Sequence, residues 1–291
     1  MPTDTMSQGS HRAAFALLVL TWLSAAAVLA HAQRSDVPAG ELVRQTVVNE
    51  VTAANAGGHY MYRLTKVTPG GAETQAIIET RDWAIGRLIQ IDGNPLSPER
   101  QQKEIRRLES LRGNPGRVIA LQEKLHHDEQ RVRRLMGALP DAFEYNYNGT
   151  DADETGRQRV RLTFRPRPTY DPPSRELAVL TGLEGTMLID ATARRLVRVE
   201  ATLTRDVTFG WGILGRLNRG GHFLLEQRDV GADRWAIATL KIDFTGRVLL
   251  LKSITIDSVT STTDFRRMPN DLTLEQGLAR LLAEGEATMR R

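Results

Sequence analysis

The sequence predicts an α+β fold built on one large, curved antiparallel sheet of about ten strands. Three observations carry that expectation. Short runs of alternating apolar and polar residues recur from His59 to Thr262, each closed by Gly, Pro, Asn or Asp. Helical spacing is confined to the front of the chain, one insertion and the end. No internal repeat and no long linker divides what lies between.

Glu41–Asn55 places Leu42, Val43, Val47, Val48 and Val51 at mixed helical spacing before Gly57-Gly58, a helix with a glycine terminator. An antiparallel meander follows: His59–Val67, a turn at Pro69-Gly70-Gly71, Ala76–Thr80, then Ala84–Ile91 closed by Asp92-Gly93-Asn94-Pro95. Pro98–Leu139 differs in texture. Ile105, Leu108 and Leu111 form one apolar stripe, and beyond Gly113–Gly116 Val118, Leu121 and Leu125, then Val132, Leu135 and Leu139, form another. With an Arg/Lys outer face, this is an inserted helical hairpin that Pro140 should end. Strands return at Phe143–Asn148 and Arg159–Phe164. Arg165–Pro173 reads as a stiff, extended connection. Gly185–Asp190 with Leu196–Thr204, and Gly221–Val230 with Trp235–Phe244, form two hairpins. Thr245-Gly246-Arg247 should turn the chain into a long last strand, Val248–Thr262. Leu272–Glu284 is a closing helix, with Asn270 or Asp271 near its N-cap.

The chain has no cysteine, which excludes disulfides, Cys-ligated metals and thiol chemistry. Its first residues are polar. Ala13–Ala30 is apolar, and Ala30-His31-Ala32 is a small-x-small triplet. That order is a secretory signal peptide cleaved near Ala32, leaving residues 33–291 as one domain with the insertion 98–139. The apolar run is also nearly long enough for a membrane anchor, but its Ala-rich end favours cleavage. Removing it takes one acid (Asp4) and one base (Arg12), so the net charge stays at +4. A mild excess permits attraction to anionic surfaces. Export argues against nucleic acid as a partner.

In the second half, Leu196, Val197, Val199, Trp235, Ile237 and Leu240 alternate with Arg194, Arg195, Arg198, Glu200, Arg234 and Lys241. One sheet face should look at water while the other needs covering. If the helices cover it incompletely, the result is an apolar groove suited to acyl chains or apolar peptides; if they cover it fully, the groove is self-filled.

The hairpin Gly185–Asp190 followed by Arg194–Glu200, and the late strand Phe244–Thr262, resemble the outer-membrane lipoprotein-sorting (LolA/LolB-like) superfamily. The similarity spans Glu41–Arg266 in outline and is one of pattern rather than of an invariant motif. It implies a half-open β-barrel with helices inside the opening and an apolar cavity. It also implies a role in carrying lipoproteins or sensing lipid-linked or peptide ligands in the periplasm. The enlarged Pro98–Leu139 hairpin and the glycine-rich Phe209–Gly221 segment depart from it.

Phe209-Gly210-Trp211-Gly212-Ile213-Leu214-Gly215 contains G-x-G-x-x-G but lacks the parallel strand, helix and downstream acid of a dinucleotide site. It reads instead as an apolar loop tip. Phe209, Trp211, Ile213 and Leu214 would border the groove mouth or meet a membrane surface, and Arg205, Arg216 and Arg219 would contact anionic groups. His126-His127-Asp128-Glu129 supplies too few ligands for zinc and reads as a solvated helix face. Asp151 and Asp153 read as a solvated polar turn, and Asn148-Gly149-Thr150 is a formal glycosylation sequon. No nucleophile elbow or phosphate loop is present. The expectation is a binding protein rather than an enzyme, with no cofactor and no metal. It would be periplasmic and hold a lipid, acyl chain or lipoprotein. The alternative is an envelope interaction or sensor module that uses the basic hairpin as its partner surface.

Overall fold

A computed structural model describes residues 37–56, 58–81, 84–112, 114–209, 215–231, 234–248 and 252–289. The chain begins with helix α1 (Ala39–Ala56), followed by strands β1 (His59–Thr68), β2 (Gly71–Glu79), β3 (Ala84–Ile91) and the short β4 (Asn94–Pro95). Helices α2 (Pro98–Arg112) and α3 (Pro115–Ala142) come next, then β5 (Phe143–Ala152) and β6 (Gln158–Pro166). A 3-10 helix (Glu176–Gly182) leads to β7 (Leu183–Asp190), β8 (Leu196–Leu203), β9 (Val207–Phe209) and β10 (Gly215–Leu217). The chain ends with β11 (His222–Asp229), β12 (Trp235–Val248), β13 (Lys252–Met268) and helix α4 (Leu274–Met289).

Among the described residues thirteen strands form one open sheet, eleven of them in the order β4-β3-β2-β1-β13-β12-β11-β8-β7-β6-β5 and β10 and β9 off this path. Every pairing among the described strands is antiparallel. The N-terminal meander and the C-terminal hairpins join where β1 pairs with β13. At the far end of β12, β10 takes the place of β11 and carries β9 with it.

Register fixes which side chains share a face, because directly paired residues project together. Leu162, Met187, Val199, Leu225 and Leu240 form one row across five strands. The opposite face of the same strands carries Arg161, Leu188, Arg198, Glu226 and Thr239. So the expected split into apolar and charged faces holds in the second half of the chain. The row through Thr239 continues to Ser261 and Thr65 on β1. At that end the same face turns apolar. Met61, Ala76, Ile78 and Ile85 pack there against Leu108 and Leu111 of α2 and Leu278 and Leu281 of α4. Fully burying each such side chain stabilises by about 1.5–3 kcal/mol before entropy is counted. The sheet is therefore packed on both faces, on different faces toward its two ends.

Several elements differ from the sequence reading. Pro98–Leu139 holds the two expected helices, which touch each other and also pack on different neighbours. Helix α2 packs on β3, on α4 and on α3 itself, whereas α3 also packs on α1, β5 and the 3-10 helix. Pro140 lies inside α3, close to its end, where its missing N–H removes only one helix bond. The carbonyls at that end are taken up instead: Tyr145 Oη donates to Leu139 O at 2.8 Å, and Arg167 donates to Asp141 O and Ala142 O. Thr245-Gly246-Arg247 is not a turn, since β12 runs through it. A Cβ on Gly246 would sit 2.3 Å from Arg216 O, so the glycine admits β10 rather than bending the chain. The segment read as a stiff connection leads into the 3-10 helix. The cap of α4 is Thr273, not Asn270 or Asp271. Its Oγ1 accepts from Gln276 N, while Gln276 Oε1 accepts from Thr273 N, forming a capping box.

One cross-strand pair works against the sheet. Asp243 and Asp257 lie directly opposite each other, and like charges so placed are destabilising. Asp257→Lys is expected to raise the free energy of unfolding by about 0.5–1 kcal/mol. Urea denaturation measures this, and an unchanged or lower midpoint would count against the pairing.

Candidate functional site

The helices make their main contacts with the sheet toward its two ends. Helix α4 meets β2 and β3, α2 meets β3, α1 and α3 meet β5, and the 3-10 helix meets β6 and β9. Between these ends, on the face of Leu162 and Met187, lie Phe223, Leu225, Leu240 and Ile242, all half-buried. Ile256 is paired to Phe244 on the same face and is 44% exposed. Strands β11, β12 and β13 thus present an apolar strip that no described helix seals.

Both ends of the strip are built firmly. At one end α1 reaches the β7–β8 turn. Glu50 accepts two hydrogen bonds from the Arg195 guanidinium, at 2.9 and 3.0 Å, and one from Leu196 N at 2.8 Å. Arg195, expected on the water-facing side, is buried, and it lies over the Trp235 ring at 5.8 Å. An arginine can leave the solvated face only with its charge answered, and Glu50 answers it. The chain leaving α1 meets the β11–β12 turn, where Tyr60 Oη donates to Gly231 O and Arg234 pairs with Glu79 at 2.9 Å. Burial among these elements pushes the Tyr62 hydroxyl up to about 12, with Glu79 adding to the rise, so the phenol is neutral at every working pH.

At the other end, Leu203, Val207 and Phe244 form a small core that Ala178, Val179 and Phe209 flank. Phe209 is therefore a packed residue at the end of β9. Trp211, Ile213 and Leu214 lie outside the described residues. Of the three predicted arginines, only Arg216 brings its side chain to Asp206. Arg216 pairs with it at 2.9 Å, the backbone N–H of Arg219 donates to Asp206 Oδ1, and Arg205 Nε donates to Thr181 O on the neighbouring 3-10 helix. Register adds a residue that sequence spacing could not place there, because Arg247 pairs directly opposite Arg216. Lys252 follows opposite Val248. This end of the sheet is cationic, with Asp206 the partner of Arg216.

The remaining candidates resolve as side chains with local roles. His126 is exposed and bonded to Gln130 at 2.8 Å. Asp153 was read as solvated but is tied into its turn. The Thr155 hydroxyl, the Arg157 and Thr155 N–H groups and Arg159 together hold its carboxyl at about 2. Asp151 pairs with Arg161. Burial pushes Glu104 up, but hydrogen bonds from Arg107 and Leu88 N outweigh it and leave its carboxyl below the usual range. Among the described residues no group of three or more His, Asp or Glu side chains is placed to hold a metal ion. Among the same residues no helix is long and apolar enough to cross a membrane.

On the face opposite the strip, a cavity of about 460 Å³ opens between β1–β3, the start of α2 and the middle of α4. Met61, Ala76, Leu96 and Leu281 give it apolar walls, and Arg63, Arg87 and Arg266 line it with guanidinium groups.

No family model matches this sequence, and no curated protein matches it. Among solved structures, the chain is similar to MucB in its complex with MucA(peri), at 9% identity and a TM-score of 0.22, with 77% of this chain and 99% of that chain covered.

Proposed function

We propose that this is an exported, periplasmic binding protein that holds a lipid, an acyl chain or an acylated protein against the uncovered strip of β11–β13. The observation that carries the reading is the strip itself. Phe223 and Ile242 lean on the small core of Leu203, Val207 and Phe244, while Leu225 and Leu240 are half-buried and Ile256 is exposed; apolar side chains left so are costly in water unless something covers them. The Ala-x-Ala triplet at residues 30–32 supports export. The resemblance of the Gly185–Glu200 hairpin to LolA/LolB-like proteins supports a periplasmic carrier or sensor. The cationic end around Arg205, Arg216, Arg219 and Arg247 suits anionic head groups, and Trp211, Ile213 and Leu214 would border the mouth at that end. A self-filled groove with the basic helices as partner surface is the second reading; the half-buried apolar side chains of β11 and β12 and the exposed Ile256 favour the first.

Ile256→Asp tests the reading. The residue is exposed enough for the fold to tolerate the change. The variant should keep its circular dichroism spectrum and lose at least about tenfold in retained lipid, the penalty of setting a carboxylate against an acyl chain. Undiminished retention in the folded variant would remove the strip from the binding surface.

A further inference from the structure

The cavity on the opposite face is a second site with its own chemistry. Its shape originates in β13. Met61 pairs with Arg266 and Arg63 with Thr263, so β13 carries one residue more than β1 across that interval. The extra residue is accommodated at Asp264, whose φ of 58° is left-handed although it is not glycine. Asp264 and Arg266 both line the cavity while Phe265 between them stacks on Tyr62. A bulge that re-aims charged side chains toward a cavity, at the cost of local strain, is a feature of binding sites.

Three guanidiniums and two carboxylates line the cavity, an excess of one positive charge. Arg87 is buried in its wall and donates to the carbonyls of Leu281 and Leu282 on α4 at 2.6 and 3.3 Å. Those bonds fix one wall to the other, so the cavity is held open by structure. Arg63 and Arg266 stand at the rim. Their pairs with Asp264, at 3.3 Å, and with Glu284 are exposed on both sides. Exposed pairs of this kind contribute little, so an incoming anion displaces either carboxylate at small cost. A guanidinium binds a carboxylate through two parallel hydrogen bonds. Behind the rim, Met61, Ala76 and Leu281 offer an apolar interior.

We infer that this cavity binds a small amphiphilic carboxylate, a medium-chain fatty acid in class, with its head group on Arg63 and Arg266 and its tail against Met61, Ala76 and Leu281. The site is separate from the strip and does not depend on it.

Dodecanoate is the probe. Titration calorimetry of the purified protein should show saturable binding, and dodecanol, which lacks the charge, should bind at least tenfold more weakly. Arg63→Gln with Arg266→Gln should weaken dodecanoate at least tenfold with an unchanged melting temperature, since both side chains are largely solvated. Ile256→Asp should leave this binding intact. A diazirine-bearing analogue should label peptides that contain Met61, Leu96 or Leu281. Absence of binding, equal affinity for the alcohol, full affinity in the double variant or labels confined to β11–β13 would each overturn the inference. A loss confined to Ile256→Asp would do so as well, and would leave the proposed strip standing.

Discussion

Gly185→Ala is expected to destabilise the protein by about 3 kcal/mol or more, or to prevent folding. Gly185 lies in β7, paired with Phe164 on one side and Ala201 on the other. A Cβ there would stand 1.9 Å from Glu200 O and 2.8 Å from Ala201 Cα. These are backbone atoms of the neighbouring strand. No rotamer change relieves them, and β7 and β8 must separate locally. The separation would fall beside Met187 and Ile189, both buried. Urea denaturation should show a much lower midpoint. A change below about 0.5 kcal/mol, ordinary for a surface site, would mean that the two strands are not so close.

Glu50→Ala should cost about 3–5 kcal/mol, the usual penalty for stripping a buried charge of its partner. The Glu50 and Arg195 side chains are each only 10% exposed, so water cannot take the place of the lost carboxylate. The same substitution orphans Leu196 N. It would also free the end of α1 from the β7–β8 turn, where Asn49 adds a bond to Arg194 O. Replacing both partners, Glu50→Leu with Arg195→Met, should recover a good part of the loss, because the penalty is the uncompensated charge rather than the missing attraction. A loss below about 1 kcal/mol for Glu50→Ala would show the pair to be solvated.

Much of the architecture was legible because alternation and turn residues are local signals. Ala84–Ile91 falls on β3 to the residue, and the two later hairpins fall on β7–β8 and β11–β12. What failed were elements whose cause is a distant neighbour. Strands β9 and β10 are three residues each and exist because β12 offers them an edge beyond β11. Gly246 looks like a turn in sequence because a close approach and a bend demand the same residue. Arg195 looks solvent-facing because alternation cannot see Glu50, far earlier in the chain, swing in beside it. The capping box Thr273–Gln276 was readable, since its spacing is a known signature, but two better-ranked cap residues precede it.

The candidate site was legible in kind rather than in place. An excess of apolar sheet over helix predicts a groove, and the half-buried apolar side chains of β11 and β12, with the exposed Ile256, are where we propose it. Of Arg205, Arg216 and Arg219, only Arg216 pairs with Asp206 through its side chain, and Arg247 lies opposite Arg216 through register alone. The second cavity had no sequence signal. It depends on the bulge at Asp264 and on Arg87, which reads in sequence as one more polar residue in an alternating strand.

The central claim is that an apolar ligand lies on the strip, and the most direct measurement is of the protein as it leaves the cell. The chain would be expressed with its own leader, purified from the periplasm, and weighed by native and by denaturing mass spectrometry, with an organic extract analysed in parallel. The account predicts a bound lipid or acylated species that leaves on denaturation and is depleted in Ile256→Asp. A clean apo mass, with no uptake of added phospholipid or lipopeptide, would contradict it.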